Sequence, residues 1–223
     1  MNKKHHEKSL SQKLTEILKA EKPISVNYYN ALSKRYDFSP GGIRRWFTRK
    51  EYSYRRQSQL FIPERHGILG PDLAVAHFLL HRKGKVKFKG DPEWHTDYKK
   101  LPIKFEKDYH VSAIDAQNTG LLYEGVDNLT NLKHLEELNV AHNKDLDDWF
   151  CDKISRLFRH SQALRKLDLT GCKRISENGI IALFFIPSLR EIIISGTKAA
   201  EYDQLELLTI LFNDVNPECS IIT

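Results

Sequence analysis

The chain is short of the residues that would make it a disulfide scaffold, a membrane span or a recognisable catalyst. It has three cysteines, Cys151, Cys172 and Cys219, an odd number scattered through 223 residues. Small secreted scaffolds depend on dense, paired cysteines, so a reducing compartment and a core built without staples are expected. The longest unbroken apolar run, Ile180 to Ile186, falls far short of the about 20 residues a spanning helix requires, and no transmembrane segment is expected. Neither a G-x-G-x-x-G nor a G-x-x-x-x-G-K-[ST] phosphate loop occurs, and there is no G-x-S-x-G nucleophile elbow. Residues 1–22 contain Lys3, Lys4, Lys8, Lys13, Lys19 and Lys22 but no Arg, and they include Glu7, Glu16 and Glu21. The Arg-rich, acid-poor composition of an organellar presequence is therefore missing, and no apolar stretch follows the basic start as a secretory signal would need. Leu10, Leu14, Ile17 and Leu18 instead have helical spacing, which predicts an amphipathic helix closed at Pro23.

What is present is an ordinary globular balance, 40 % hydrophobic and 29 % charged, with a net charge of +6. The charge is unevenly placed. Residues 1–66 carry a net +9, residues 67–110 a net +3 and residues 111–223 a net −6. A basic arm (1–66), a helix with a capping strand (67–110) and an acidic C-terminal domain (111–223) are the expected divisions. Such asymmetry suits an arm that docks on an anionic surface.

Along the arm, residues 27–38 predict a short aromatic-rich helix ending before a Pro40-Gly41-Gly42 turn. Residues 43–57 place Ile43, Trp46, Phe47 and Tyr54 near helical spacing, with Arg44, Arg45, Arg49, Lys50, Arg55 and Arg56 over the rest of the surface. Aromatic and basic residues interleaved in this way fit nucleic acid, a lipid surface or an Arg-rich protein interface. No nucleic-acid-binding motif accompanies them, so protein or anionic lipid contact is the preferred reading and nucleic acid is not. Gly70-Pro71-Asp72 predicts a helix start, with Ala74, Val75, Phe78 and Leu79 as its apolar face and Gly84 at its end. Val86 and Phe88 alternate with Lys85, Lys87 and Lys89, as in an edge strand, before a break at Gly90-Asp91-Pro92.

The C-terminal half repeats itself. Val111-x-x-Ile114-x-Ala116, Leu135-x-x-Leu138-x-Val140, Leu164-x-x-Leu167-x-Leu169 and Leu189-x-x-Ile192-x-Ile194 begin 24, 29 and 25 residues apart. Three residues beyond each stand Thr119, Asn143, Cys172 and Thr197. This is the leucine-rich-repeat template, a strand followed by a tight inner turn that only a small polar side chain or a thiol fits. Apolar stripes follow the last three strands: Leu146, Trp149, Phe150, Ile154, Leu157 and Phe158; then Ile180, Ile181, Leu183, Phe184 and Phe185; then Leu205, Leu207, Leu208, Ile210, Leu211 and Phe212. Each predicts a helix, the second N-capped by Ser176. Strands at Lys85–Lys89 and Ser220–Ile222 would close the two ends. The fold class is α/β, a short leucine-rich-repeat solenoid of parallel strands and helices preceded by a basic helical arm.

No constellation supports catalysis, a cofactor or a metal. His77 and His81 have metal-ligand spacing, but Phe78 stands where a zincin needs its glutamate. Asp145, Asp147 and Asp148 lack the glycine turn of a cation loop, and helix N-capping accounts for them more cheaply. Cys172 reads as a buried small hydrophobe.

The stretches GPDLAVAHFLL (70–80), GKVKFKG (84–90), AIDAQNT (113–119), YEGVDNL (123–129), DLDDW (145–149) and LRKLDLTGCKRISENG (164–179) resemble the mitochondrial family of ATP synthase subunit s (coupling factor B) and distal membrane-arm assembly component 2. The resemblance covers about residues 65–222, and YEGVDNL and DDW lean towards the second member. It implies a non-enzymatic mitochondrial protein that binds subunits of the distal membrane arm of respiratory complex I, in assembly or as an accessory subunit, on the matrix side of the inner membrane. Association with ATP synthase is the alternative it implies; the vicinal-type cysteine pair attributed to coupling factor B is absent here. A further alternative is an F-box-like leucine-rich-repeat adaptor, for which Leu101-Pro102 lacks the helical pattern that should follow. Candidate contact residues are Arg44, Arg45, Trp46, Arg55 and Arg56, of the types enriched where interfaces carry energy, with Asp147 and Trp149 as a secondary pair.

Overall fold

The computed structural model describes residues 39–203 and 205–223; the helices expected within residues 10–18 and 27–38 lie outside them. The chain divides into two compact units, residues 1–50 and 51–223. Helix α1 (Pro40–Ser58) is the expected basic helix, but Pro40-Gly41-Gly42 is its first turn and not a break before it. Ser39 Oγ accepts the Gly42 amide at 3.0 Å, as an N-cap side chain does. Proline at the first helical position loses nothing, because its missing N–H would have had no partner there. That is why a Pro-Gly-Gly triplet can open a helix.

Helix α2 (Pro63–Leu80) also begins earlier than expected, and kinks at Gly70. Pro71 and Asp72 do start the second, straight part, because Gly70 holds φ 75° and ψ 169°. Only glycine fits that conformation comfortably, and a Cβ there would come within 2.7 Å of the Phe105 ring. Beyond the kink, Leu73, Ala74, Val75, Ala76, Phe78, Leu79 and Leu80 are all buried. A helix apolar on every side belongs inside a core, and this one caps the repeat stack. Asp72 Oδ1 accepts the Val111 amide at 2.8 Å, which ties the helix start to the first repeat strand.

Six strands lie side by side in chain order: β1 (Lys85–Phe88), β2 (Val111–Asp115), β3 (Glu137–Asn139), β4 (Lys166–Asp168), β5 (Glu191–Ile193) and β6 (Ser220–Ile222). β1 runs antiparallel to β2, and every later pairing is parallel. Ile114, Leu138, Leu167 and Ile192 stand in one register row and are buried. The four repeats and both end strands therefore fall as the sequence pattern requires. The outer edge of β1 is partly covered, since Val86 exchanges backbone hydrogen bonds of 3.1 and 2.8 Å with His95.

Helices α3 (Asp148–Phe158), α4 (Glu177–Ala182) and α5 (Leu205–Val215) follow the last three repeat strands, with Ser176 capping α4 as expected. Their apolar stripes are not fully buried. Trp149, Ile181, Phe185, Leu207, Ile210 and Leu211 face solvent. For Ile181 and Phe185 the reason is geometric: α4 has six residues and passes directly into a 3-10 turn at Leu183–Phe185, so a stripe of helical period cannot stay on the core.

One feature of the inner turns was not legible as a pattern. Two residues after the last apolar position of each repeat the backbone is left-handed: Asn118 (φ 52°), His142 (φ 58°), Gly171 (φ 70°) and Gly196 (φ 67°). The next residue then turns its side chain inward. Thr119 Oγ1 donates to Ala116 O at 2.9 Å, Cys172 Sγ to Val140 O at 3.3 Å and Thr197 Oγ1 to Ile194 O at 2.7 Å. Asn143 does most: it donates to Ala116 O and Val140 O, both at 2.8 Å, and accepts the Leu121 amide at 2.9 Å. It thereby satisfies buried backbone groups of two successive repeats.

At Gly171 two constraints coincide. Its φ is left-handed, and an added Cβ would collide with the imidazole of His142 in the preceding turn. Gly196 has the same φ, but nothing approaches its absent side chain closer than 3.8 Å. Gly196→Ala should cost about 1–2 kcal/mol of unfolding free energy, the left-handed penalty alone. Gly171→Ala should cost more, and His142→Gly should recover part of the difference. Urea unfolding of the three variants and the double variant checks this; equal losses at the two glycines would contradict it.

Candidate interaction surface

The end of α1 is fastened to the first repeat by buried polar groups. Gln59 is 2 % exposed although it is an amide on the residue after a basic helix. Its Nε2 donates to Gly120 O at 2.9 Å, its Oε1 accepts the Leu122 amide at 2.8 Å, and its carbonyl accepts from Asn128 Nδ2 at 2.9 Å. Gly125 leaves room for this side chain, since a Cβ there would strike Gln59 Oε1. A buried amide with its hydrogen bonds made is stable; the same amide with them broken costs the full desolvation of each group. Sequence reading missed Gln59 and Asn128 because no periodicity marks a lone buried amide.

Arg55 pairs with Asp145, and Arg56 Nε with Glu124 Oε1 at 2.6 Å. These two candidate contact arginines thus hold carboxylates of the same chain, while Arg56 stays largely exposed. Nearer the start of α1, Trp46 is 51 % exposed and stands edge-on to Phe47 with ring centroids 5.0 Å apart. The Lys50 ammonium lies 5.7 Å from the Trp46 centroid, and the carbonyl of Arg44 accepts from Thr48 Oγ1. Arg45 is exposed on the same helix. This segment pairs an apolar ring surface with fixed positive charge, the combination that serves at desolvated interfaces.

The three clustered aspartates divide their work. Asp145 takes Arg55. Asp147 is the N-cap of α3, accepting the Trp149 amide at 3.2 Å, and pairs with Arg174 at 3.3 Å. Asp148 accepts both the amide and the hydroxyl of Ser176 at 2.7 Å, linking α3 to the start of α4. Helix capping is the expected role, and here it also joins neighbouring repeats. Trp149, 68 % exposed, is left with its indole in solvent. An indole on a capped, rigid helix start is a ready anchor.

His77 and His81 do not converge. His77 Nε2 meets Pro102 O at 2.9 Å, and His81 packs edge-on against Tyr98. Cys151, Cys172 and Cys219 are free and buried. Burial pushes the Cys172 and Cys219 thiols up to about 11, and the Cys151 thiol well above its usual value. All three are protonated at neutral pH and poor nucleophiles. Among the described residues no helix is long and apolar enough to cross a membrane.

A leucine-rich-repeat family model matches residues 131–148 and 160–184, which hold β3 and its turn, then β4 and α4. Distal membrane arm assembly component 2 of Drosophila melanogaster is 40 % identical over 195 residues, 86 % of this chain and 67 % of that protein. The mitochondrial ATP synthase subunit s of Rattus norvegicus is 32 % identical over 142 residues, 62 % of this chain and 71 % of that protein. The human subunit s is 28 % identical over 127 residues, covering 57 % and 64 %.

Removing the buried amide tests the anchoring of α1. Gln59→Ala should lower the unfolding free energy by about 2 kcal/mol, from two lost hydrogen bonds and the backbone groups they leave unpaired. Arg55→Ala, which breaks a partly exposed ion pair, should cost less than about 1 kcal/mol. Chemical denaturation compares them; an Arg55 effect as large as that of Gln59 would overturn the ranking.

Proposed function

The chain belongs to the family that unites distal membrane arm assembly component 2 with mitochondrial ATP synthase subunit s, and from that premise we propose that it is a non-catalytic interaction component of respiratory complex I. It acts on the distal membrane arm, in assembly or as an accessory subunit, peripherally on the matrix side of the inner membrane. The observation that carries this reading is the extent of similarity. A match over 86 % of the chain must reach into the basic arm of residues 1–66, whereas a match over 62 % fits within the helices and repeats alone. The arm is the part most suited to grip a partner, so the assembly-component relative is the better functional guide. Identity to subunit s supports ATP synthase association as the second reading.

In this proposal residues 111–223 are the rigid scaffold, residues 67–110 cap it, and residues 1–66 engage the partner. Arg44, Arg45 and Trp46 make the central contact, with anionic lipid head groups beside the partner protein as a further target for the arginines. Arg55 and Arg56 tie the end of the helix to Asp145 and Glu124. Trp149, presented by the Asp147 cap, is a separate anchor on the repeats.

Affinity capture of the tagged chain from mitochondria tests this. Subunits of the distal membrane arm should be enriched over those of ATP synthase. Trp46→Ala and Trp149→Ala should each reduce that enrichment by about tenfold or more, the effect of losing an interface anchor, with the stability of the isolated chain unchanged because both indoles face solvent. Enrichment of ATP synthase in place of distal-arm subunits would favour the second reading, and enrichment of neither would contradict both.

A further inference from the structure

Between the C-terminal end of α1, helix α2 and the 3-10 turn at Tyr98 lies a cleft of about 510 Å³, wholly within the unit of residues 51–223. Its walls are Tyr54, Ser58, Arg65, His77, Phe78, His81, Arg82 and Tyr98. Among the described residues the lining contains two arginines and no carboxylate. Both guanidinium groups lie on the same ring: Arg82 Cζ is 4.0 Å and Arg65 Cζ 5.5 Å from the centroid of Phe78. Arg82 donates to Phe78 O at 2.9 Å and to Ser58 O, and Arg65 donates to Asn128 Oδ1. These are neutral acceptors. Among the described residues neither arginine forms an ion pair.

The arrangement is costly as it stands. Among the described residues Arg65 Nε is buried and has no hydrogen-bond partner. Burial and the neighbouring Arg65 charge together bring Arg82 down to about 10, and burial, then the Arg65 charge, depress His66. Two like charges facing a partly desolvated cleft repel each other, and an unmet buried donor adds to the cost. An anion with several oxygens in the cleft offsets the repulsion between the two guanidinium groups. The planar forks of arginine suit phosphate oxygens, and Tyr54, Tyr98 and Ser58 supply hydroxyl groups at the rim.

We infer that this cleft is a binding site for a phosphate-class anion, either a soluble phosphorylated molecule or the phosphomonoester head group of a lipid, held by Arg65 and Arg82 over the Phe78 ring. The inference is independent of the assembly role and of the partner contacts assigned to Arg44, Arg45 and Trp46.

Thermal unfolding of the full chain in inorganic phosphate and in pyrophosphate, against chloride at matched ionic strength, tests it. Phosphate should raise the midpoint by several degrees beyond chloride, as a ligand specific to the folded state does. Arg65→Gln and Arg82→Gln should each abolish that increment, and Lys87→Gln, on β1, should keep it. Because Arg82 also ties Ser58 and that variant can lose the fold for this reason alone, the wild-type Arg65 Nε–H resonance is followed in a nitrogen-15 NMR titration with phosphate and should shift saturably. Flotation with phosphatidylcholine vesicles, with and without phosphatidic acid, separates the sources. Binding to phosphatidic acid vesicles that free phosphate competes away identifies the lipid head group, and a phosphate effect without vesicle binding identifies a soluble ligand. No increment over chloride, an increment that survives in the arginine variants, or an unmoved Arg65 resonance would overturn the proposal.

Discussion

The stack depends on what happens to the backbone at the inner turns. Each strand of three to five residues ends against the core, where a carbonyl has no water to bond. A left-handed residue reverses the chain there, and the following side chain turns inward to meet the orphaned carbonyls. Asn143 meets groups from two repeats, and the Cys172 thiol reaches back to Val140 O in the repeat before it. Without these contacts the parallel ladder would bury unpaired polar groups at every step, a cost of several kcal/mol against a domain stability of about 5–15 kcal/mol. The leucines and isoleucines supply the driving force; the turn residues decide that it is spent on this arrangement.

A rigid ladder fixed at both ends can present surfaces. At one end α2 covers the first repeat and Asp72 holds Val111; at the other β6 pairs with β5. Gln59 then fastens the end of α1 to the first repeat through a buried amide side chain. Exposed Trp149 is therefore held on a defined element, the condition under which a few anchors carry most of an interface's energy. The thiols contribute packing: buried and protonated, they fill the ladder where a larger polar group would not fit.

Much of this was legible in the sequence, and the parts that were not share a cause. The repeat strands, their shared register and the roles of Thr119, Asn143, Cys172 and Thr197 follow from a spacing that only one template explains. Ser176 and Asp147 cap helices because short polar side chains before apolar runs do so generally. Pro40-Gly41-Gly42 misled because proline and glycine punctuate chains at helix starts as well as at breaks. Ile181 and Phe185 read as core because their spacing is helical, yet a six-residue helix running into a 3-10 turn rotates its stripe into solvent. Gln59, Asn128, Arg65 and Arg82 carry no local pattern; their meaning lies in partners many residues away, as with Gln59 and Leu122 or Arg65 and Asn128. Long-range polar contacts of this kind are visible only once the chain is folded.

Complexome profiling of mitochondria tests the central claim most directly, by asking where the untagged chain migrates under native conditions. A peak with distal membrane-arm subunits of complex I, in the mature complex or in a smaller intermediate, is the expected result. Migration with ATP synthase, or solely at the mass of the free chain, would contradict it.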